Sequence, residues 1–292
     1  MAQTQTIDDN AYFVPHGSKW PIFGSVAMFT IMFGVANWIN DYEWGRAVFF
    51  VGVVLMIGTL FGWFADVIGE SLRKLYSSQV DVSFRMGMLW FIFSEVMFFA
   101  AFFGALFYAR MVSVPWLGGQ GKGIATNNLL WNGYDAAWPT NGPGAIGGHF
   151  ETITAWGVPF LNTLILLSSG MTITIAHHML RSGRRGQLLF WLGATILLGA
   201  SFLWFQAHEY IEAYTKLHLT LGSGVYGSTF FMLTGFHGMH VTLGAIMLSV
   251  IWFRCARGHF TRDHHFAFEA VAWYWHFVDV VWLGLFVFVY VL

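Results

Sequence analysis

Seven stretches of the chain are almost wholly apolar, and polar segments separate them. They cover residues 20–40, 47–65, 86–109, 152–180, 186–208, 217–253 and 270–292. A helix crosses a hydrocarbon core of about 30 Å with about 20 apolar residues, and apolar character that is continuous rather than alternating favours helices over barrel strands. The pattern therefore predicts an all-α integral membrane protein with seven transmembrane helices, the sixth beginning near Val225.

The polar segments divide the predicted helices into two groups. We expect a polar tail over residues 1–20, a two-helix bundle over 21–66, an inner loop over 67–85 and a five-helix bundle over 86–292. The outer loop, 111–151, is rich in Gly, Asn and Trp and lacks helical periodicity. Its tryptophans argue against disorder, so we interpret it as an ordered cap or a contact with a partner.

Composition supports a membrane location and narrows the partners. The chain is 57% hydrophobic and 10% charged, whereas soluble domains carry about 25% charged residues. A net charge of −1 without a basic tail gives no sign of nucleic-acid binding. The single cysteine, Cys255, cannot form an internal disulfide.

The distribution of Lys and Arg predicts the orientation, because cytoplasmic loops carry an excess of these residues. With the N-terminus inside, ten of the 14 cationic side chains fall on the inner side and four on the outer side. We therefore expect a cytoplasmic N-terminus and, after seven helices, a periplasmic C-terminus.

Glu95 is the only formal charge between Arg85 and Arg110. An ionised acid at this depth costs on the order of 3 kcal/mol, and burial favours its neutral form. It is either a hydrogen-bonded core acid, a proton-relay group or an anchor for a polar lipid head group. We predict that it pairs with His240 or, failing that, with His237.

His237 and His240 lie three residues apart on one face of the sixth predicted helix. Such a pair can ligate a metal or haem, but no other span offers an obvious second set of ligands at the same depth, and His276 is the only rival. We therefore expect these histidines to be hydrogen-bonded to backbone or carboxylate and expect no metal ligands in this chain.

Other polar pairs have a structural and a functional interpretation. His276 and Asp279 share a face of the seventh helix and form either an intrahelical pair or half of a catalytic arrangement that lacks a serine or cysteine nucleophile. Arg254 and His259 lie near the inner interface, where cations bind anionic lipid heads, and solvation of helix ends is the alternative. The sequence contains no phosphate loop, CxxC, HExxH or GxSxG motif, so we expect no catalytic residues.

Several long motifs together resemble subunit III of the haem–copper cytochrome c oxidases. They are WPIFGS at 20–25, DVIGES at 66–71, FIFSEVMFFAAFF at 91–103, PFLNTLILLSSGMTITIAHH at 159–178, QAHEYIEA at 206–213, VYGSTFFMLTGFHGMH at 225–240 and DHHFAFEAVAWYWHFVDVVWLGLFVFVY at 263–290.

The resemblance implies the non-catalytic subunit III of a proton-pumping aa3-type oxidase in aerobic respiration. It implies two helices plus five around a V-shaped cleft filled with phospholipid, and a role in supporting proton uptake, stabilising subunit I and preventing turnover inactivation. Haem a, haem a3 and copper are implied in subunits I and II, which would be partners together with a small subunit IV.

The resemblance also implies lipid-binding roles for individual residues. It implies that Glu95 is a buried acid beside a lipid site, that Arg254 and His259 bind a lipid phosphate, and that Trp63 and Glu70 contact lipid. The long outer loop is typical of a bacterial protein and predicts the bacterial inner membrane rather than the mitochondrial one.

Three other functions stay open at this point. The electron donor of the complex can be quinol instead of cytochrome c. A membrane b-type cytochrome would use His237, His240 or His276 as haem ligands and would show a Soret band. A stand-alone transporter or receptor-like bundle would purify without haem-bearing partners.

Overall fold

The computed structural model describes residues 13, 14 and 17–292 of the chain, so most of the predicted tail lies outside the described residues. Within the described part, seven helices are long and apolar enough to cross a membrane. They are α1 (Trp20–Ile39), α2 (Glu43–Leu72), α3 (Ser78–Tyr108), α4 (Val158–Arg181), α5 (Arg185–Thr215), α6 (Gly224–Ala256) and α7 (Phe266–Leu285). The prediction of an all-α protein with seven membrane-spanning helices is confirmed.

α2, α3 and α5 extend beyond the apolar stretches that predicted them. α2 has 30 residues and rises about 45 Å, against about 30 Å of hydrocarbon. Since α3 begins at Ser78, only residues 73–77 connect the two helices, and the inner loop predicted over 67–85 is corrected to this short turn. Charged residues mark the edge of the hydrocarbon and not the end of a helix, because intrahelical hydrogen bonds satisfy the backbone equally well beyond that edge.

Contacts within the chain separate residues 1–86 from residues 87–292, and the boundary falls inside α3. In the first unit, α1 and α2 approach closely at glycines. A Cβ atom on Gly52 would lie 2.6 Å from the backbone nitrogen of Ile31, and one on Gly34 or Gly45 would collide with the backbone of the facing helix. Small residues are what allow membrane helices to pack at this distance.

In the second unit, two tryptophans of α7 hold the helices around it. Trp275 lies between two glycines, and a Cβ atom on Gly199 of α5 would be 2.6 Å from its Cη2 and one on Gly244 of α6 would be 2.8 Å from its Cε3. The indole Nε1–H of Trp275 donates to Ser169 of α4 over 2.9 Å. Trp282 donates in the same way to Thr163 over 2.9 Å. α7 is therefore in contact with α4, α5 and α6.

The outer segment 111–151 is partly helical and packs on the start of α6. α3 continues as a π-helix (Ala109–Ser113) and a helical turn (Val114–Leu117), and a short helix follows at Ile124–Leu130. Trp138 and Phe150 both contact the ring of Tyr226, at centroid distances of 5.6 Å and 5.5 Å. These side chains order the segment despite its lack of periodicity.

Candidate functional site

The acid of α3 and a histidine of α6 lie against each other. Nε2 of His240 is 2.9 Å from Oε2 of Glu95, and the two side chains are 6% and 22% exposed. α3 supplies the acid from a run of aromatic residues, and α6 supplies the imidazole from a glycine-containing face. The pair therefore connects two helices that are separated by more than 100 residues of sequence.

The second ring nitrogen of His240 decides where the protons of this pair lie. Nδ1 of His240 is 2.6 Å from the backbone oxygen of Phe236. A carbonyl oxygen only accepts hydrogen bonds, so Nδ1 carries a hydrogen. One further proton is then shared between Nε2 and the carboxyl group, either as two neutral partners or as an imidazolium and a carboxylate.

Aromatic rings surround the shared proton. Phe98 and Phe99 of α3 have their ring centroids 5.9 Å and 5.0 Å from that of His240. Phe236 and Phe98 meet edge to face at 5.0 Å between α6 and α3, and Tyr274 of α7 stacks at 6.3 Å from His240. Such surroundings exclude water and strengthen the electrostatic interaction within the pair.

His237, the alternative partner for Glu95, faces other helices. Its Nε2 is 3.2 Å from the backbone oxygen of Val278 in α7, and its ring packs against Phe202 and Trp282. The three-residue spacing in α6 therefore turns one histidine toward α3 and the other toward α5 and α7. The structure brings Glu95 together with His240 and not with His237.

His276 and Asp279 lie together at a groove between α4 and α7. Nδ1 of His276 is 3.6 Å from Oδ2 of Asp279, and Nε2 is 3.3 Å from Oγ1 of Thr174. Asp279 fits against α4 because residue 170 is glycine, and a Cβ atom there would collide with Oδ2. The groove has a volume of about 460 Å³ and is otherwise apolar. This arrangement is an intrahelical pair facing an apolar groove.

Arg254 and His259 lie at the end of α6 with unsatisfied nitrogens. The guanidinium of Arg254 lies 4.4 Å from the ring centroid of Phe260, and its Nε and Nδ1 of His259 are buried without a hydrogen-bond partner in the described part of the chain. Burial lowers the pKa of His259, and the charges of Arg254 and Arg257 lower it further. Together they offer N–H donors and positive charge to an anion.

Trp63 and Glu70 lie on α2, in the first unit. Trp63 is exposed and stacks on Phe64 at 6.0 Å. Glu70 accepts a hydrogen bond of 2.7 Å from the hydroxyl of Tyr76. Burial raises the pKa of Tyr76, and the hydrogen bond to Glu70 and its charge raise it further, so the phenol stays protonated and donates. Trp63 is thus free to contact lipid, whereas Glu70 is engaged within the chain.

A buried acid on α5 was not identified from the sequence. Glu209 is 4% exposed, and its Oε1 accepts a hydrogen bond of 2.6 Å from the hydroxyl of Tyr290. Gln206 contributes a longer bond of 3.4 Å to the same oxygen. The apolar stretch that predicted this helix ends at residue 208, so Glu209 was placed just outside the membrane. The three-residue spacing from Gln206 was the signal that could have identified it.

Comparison with known proteins covers almost the whole chain. A family model described as Cytochrome c oxidase subunit III matches residues 10–130 and 127–292. The chain is 42% identical over 282 residues to cytochrome c oxidase subunit 3 of Danio rerio, covering 96% of this chain and 97% of the relative. The corresponding proteins of Arabidopsis thaliana (39% over 282 residues, 96% of each chain) and Marchantia polymorpha (41% over 274 residues, 94% and 93%) are similar to the same extent. These relatives are eukaryotic and do not support the predicted bacterial origin.

Proposed function

The chain belongs to the cytochrome c oxidase subunit III family, and we propose that it is the non-catalytic subunit III of a proton-pumping aa3-type oxidase that accepts electrons from cytochrome c. Its role there is to stabilise subunit I, hold structural phospholipids, support proton uptake and protect the enzyme from inactivation during turnover. The observation that carries this proposal is the contact between Glu95 and His240 across α3 and α6.

The Glu95–His240 pair suits a stabilising and proton-supporting subunit. A carboxyl group and an imidazole that share one proton reduce the cost of placing both in hydrocarbon. The pair also holds α3, whose outer surface is apolar and exposed, to α6. Loss of the pair would loosen α3, and with it any lipid or subunit that rests on that surface.

Two regions support the retention of phospholipid. Arg254 and His259 present side-chain nitrogens without a hydrogen-bond partner among the described residues at the end of α6, and a lipid phosphate is an anion that cationic groups bind at this depth. In the first unit, α2 presents Trp63 and its aromatic neighbours to the surroundings, where they would contact lipid. Glu70 lies on the same helix and is included in the proposed lipid contact, with its carboxylate accepting a hydrogen bond from Tyr76.

We place the redox centres in partner chains. Haem a, haem a3 and copper would belong to subunits I and II, and a small subunit IV is a further partner. His240, one of the two histidines best placed for a haem, has both ring nitrogens engaged with protein, which favours this division over a b-type cytochrome. The chain is a multi-pass membrane protein, and we propose a respiratory membrane with the N-terminus on the side of proton uptake.

The test uses the oxidase purified with variants of this chain. Glu95→Ala is expected to lower both the phospholipid content and the number of turnovers before inactivation, and Glu95→Gln is expected to keep both near wild type. Ser94→Ala is the matched control, since among the described residues its hydroxyl donates to the backbone oxygen of Phe91 in its own helix. The proposal fails if Glu95→Ala changes neither quantity, or if the purified chain by itself shows a Soret band.

A further inference from the structure

Three side chains that could ligate a metal meet where α4 ends and α7 begins. His177 lies in the last turns of α4, His265 immediately precedes α7, and Glu269 lies in its first turn. Oε1 of Glu269 is 3.5 Å from Nε2 of His177 and 3.2 Å from Nε2 of His265. One ligand atom from each residue lies within 4.8 Å of the other two. This cluster is separate from the Glu95–His240 pair and from the Arg254–His259 region.

Each of the two imidazoles presents a nitrogen that has no hydrogen-bond partner in the described part of the chain. Nε2 of His177 and Nε2 of His265 are buried, and neither contact with the carboxylate has the geometry of a hydrogen bond. The side chain of His265 is 8% exposed, so water does not compensate. Buried polar atoms without partners are rare in native proteins, and an ion held between the three side chains would satisfy both nitrogens.

The orientation of His265 is that of a metal ligand. Its Nδ1 is 3.1 Å from the backbone oxygen of Thr261, which can only accept, so Nδ1 carries the hydrogen and Nε2 presents its lone pair. Metal-bound histidines in proteins are held in the same way, by a carbonyl or carboxylate on the second nitrogen. The ligand tautomer is therefore already selected without the metal.

The distances between the three atoms fit a tetrahedral ion. Zinc binds imidazole nitrogen and carboxylate oxygen at about 2.0–2.2 Å, which separates neighbouring ligand atoms by about 3.4 Å. The observed separations of 3.5 Å and 3.2 Å agree with this value. Two histidines, one glutamate and a fourth position for water form a donor set that zinc uses in proteins.

We propose that His177, His265 and Glu269 form a binding site for a divalent cation of the zinc type. The ion would hold the end of α4 to the start of α7 and would have no redox role. The site departs from the expectation that this chain holds no metal ligands, and it goes beyond the proposed function, since all three ligand atoms belong to this chain.

The test measures zinc binding to the full-length chain in detergent after removal of metals with a chelator. After dialysis against buffered ZnCl2, we expect the wild-type chain to bind one zinc ion. We expect the His265→Ala and Glu269→Gln variants to lose this ion. Loss of a residue that only orients a metal ligand lowers metal affinity roughly 10- to 100-fold, and the zinc affinity of these two variants should fall by at least as much. His264→Ala and His178→Ala are the matched controls, because these neighbouring imidazoles are exposed, and both should bind like wild type.

Two further measurements decide the case if His265→Ala does not fold. His177→Ala removes a less buried ligand and should weaken zinc binding while His178→Ala does not. X-ray absorption at the zinc edge of the wild type should show two imidazole nitrogens. Equal zinc retention by His177→Ala and His178→Ala, or a zinc spectrum without imidazole, would overturn the proposed site. It would indicate that the two histidines and Glu269 only share protons.

Discussion

The strength of the Glu95–His240 contact can be measured with a double-mutant cycle. The perturbations are Glu95→Ala, His240→Ala and the two together. Interhelical hydrogen bonds in membranes contribute about 0.6 kcal/mol on average and up to about 1.7 kcal/mol. The contact here is short, at 2.9 Å, and enclosed by aromatic rings, so we expect a coupling energy of about 1 kcal/mol, or roughly a fivefold change in the unfolding equilibrium.

The single variants should cost more than the coupling energy. Glu95→Ala leaves Nε2 of His240 without its partner, and an unsatisfied buried group costs about 1–3 kcal/mol. Glu95→Gln should cost less than about 1 kcal/mol if the pair is neutral, because its amide N–H donates to the same nitrogen. An ionic pair would instead make glutamine nearly as costly as alanine, because the amide cannot neutralise the imidazolium, and this result would contradict the expectation that Glu95→Gln stays near wild type.

The assay is unfolding of the full-length chain in mixed micelles, with the denaturing detergent varied and helicity followed by circular dichroism. Ser94→Ala supplies the baseline for a change on the same helix. The stability changes of independent sites add to within about 0.3–0.5 kcal/mol. A double variant whose loss of stability equals the sum of the two single losses within this range would refute the claim that Glu95 and His240 stabilise each other.

Three further outcomes follow from the packing and the polar contacts. Gly244→Ala places a Cβ atom 2.8 Å from Trp275 and should lower the free energy of unfolding by about 1–3 kcal/mol through overpacking. Gly238→Ala, on the same helix, meets nothing within 4 Å and should be neutral or stabilising in the same unfolding assay. Equal losses of stability in the two variants would contradict the packing argument. Tyr290→Phe removes the 2.6 Å donor to Glu209 and should lower the free energy of unfolding by about 1–3 kcal/mol, and no loss would mean that water satisfies the acid. Arg254→Ala should lower the phospholipid recovered with the oxidase by mass spectrometry, with exposed Arg257→Ala as control, and identical lipid content in both would exclude a phosphate site at Arg254.

The sequence predicted which residues form the site around Glu95, but it did not decide all of the contacts between them. Glu95 stood out because a lone acid in hydrocarbon requires a partner, and His237 and His240 were the candidates at matching depth. Which of the two makes the contact depends on the rotation of α6 about its axis. In the observed rotation Gly244 lies against Trp275, a contact between residues of different helices that no local pattern reveals.

The helix ends show a second limit of the apolar pattern. Hydropathy locates the hydrocarbon, so the seven spans were found while the ends of α2, α3 and α5 were placed too early or too late. Glu209 was missed for this reason, because α5 continues to Thr215 and Tyr290 covers the acid. Burial against Tyr290, in the π-helix Phe286–Val291 that continues α7, and not burial by lipid, removed this carboxyl group from water.

What the sequence determined by itself is the number of spans, their continuous helical character, the family and the short list of polar groups inside the membrane. These follow from local composition and from the cost of unsatisfied polar groups in hydrocarbon, which apply to each helix separately. Only the tertiary structure decided that Glu95 meets His240, that His237 faces α7, and that His177 meets His265 and Glu269 across 88 residues of chain. The physical reason is that such meetings depend on how helices rotate and approach, which is set by the fit of glycines against large rings on distant parts of the chain.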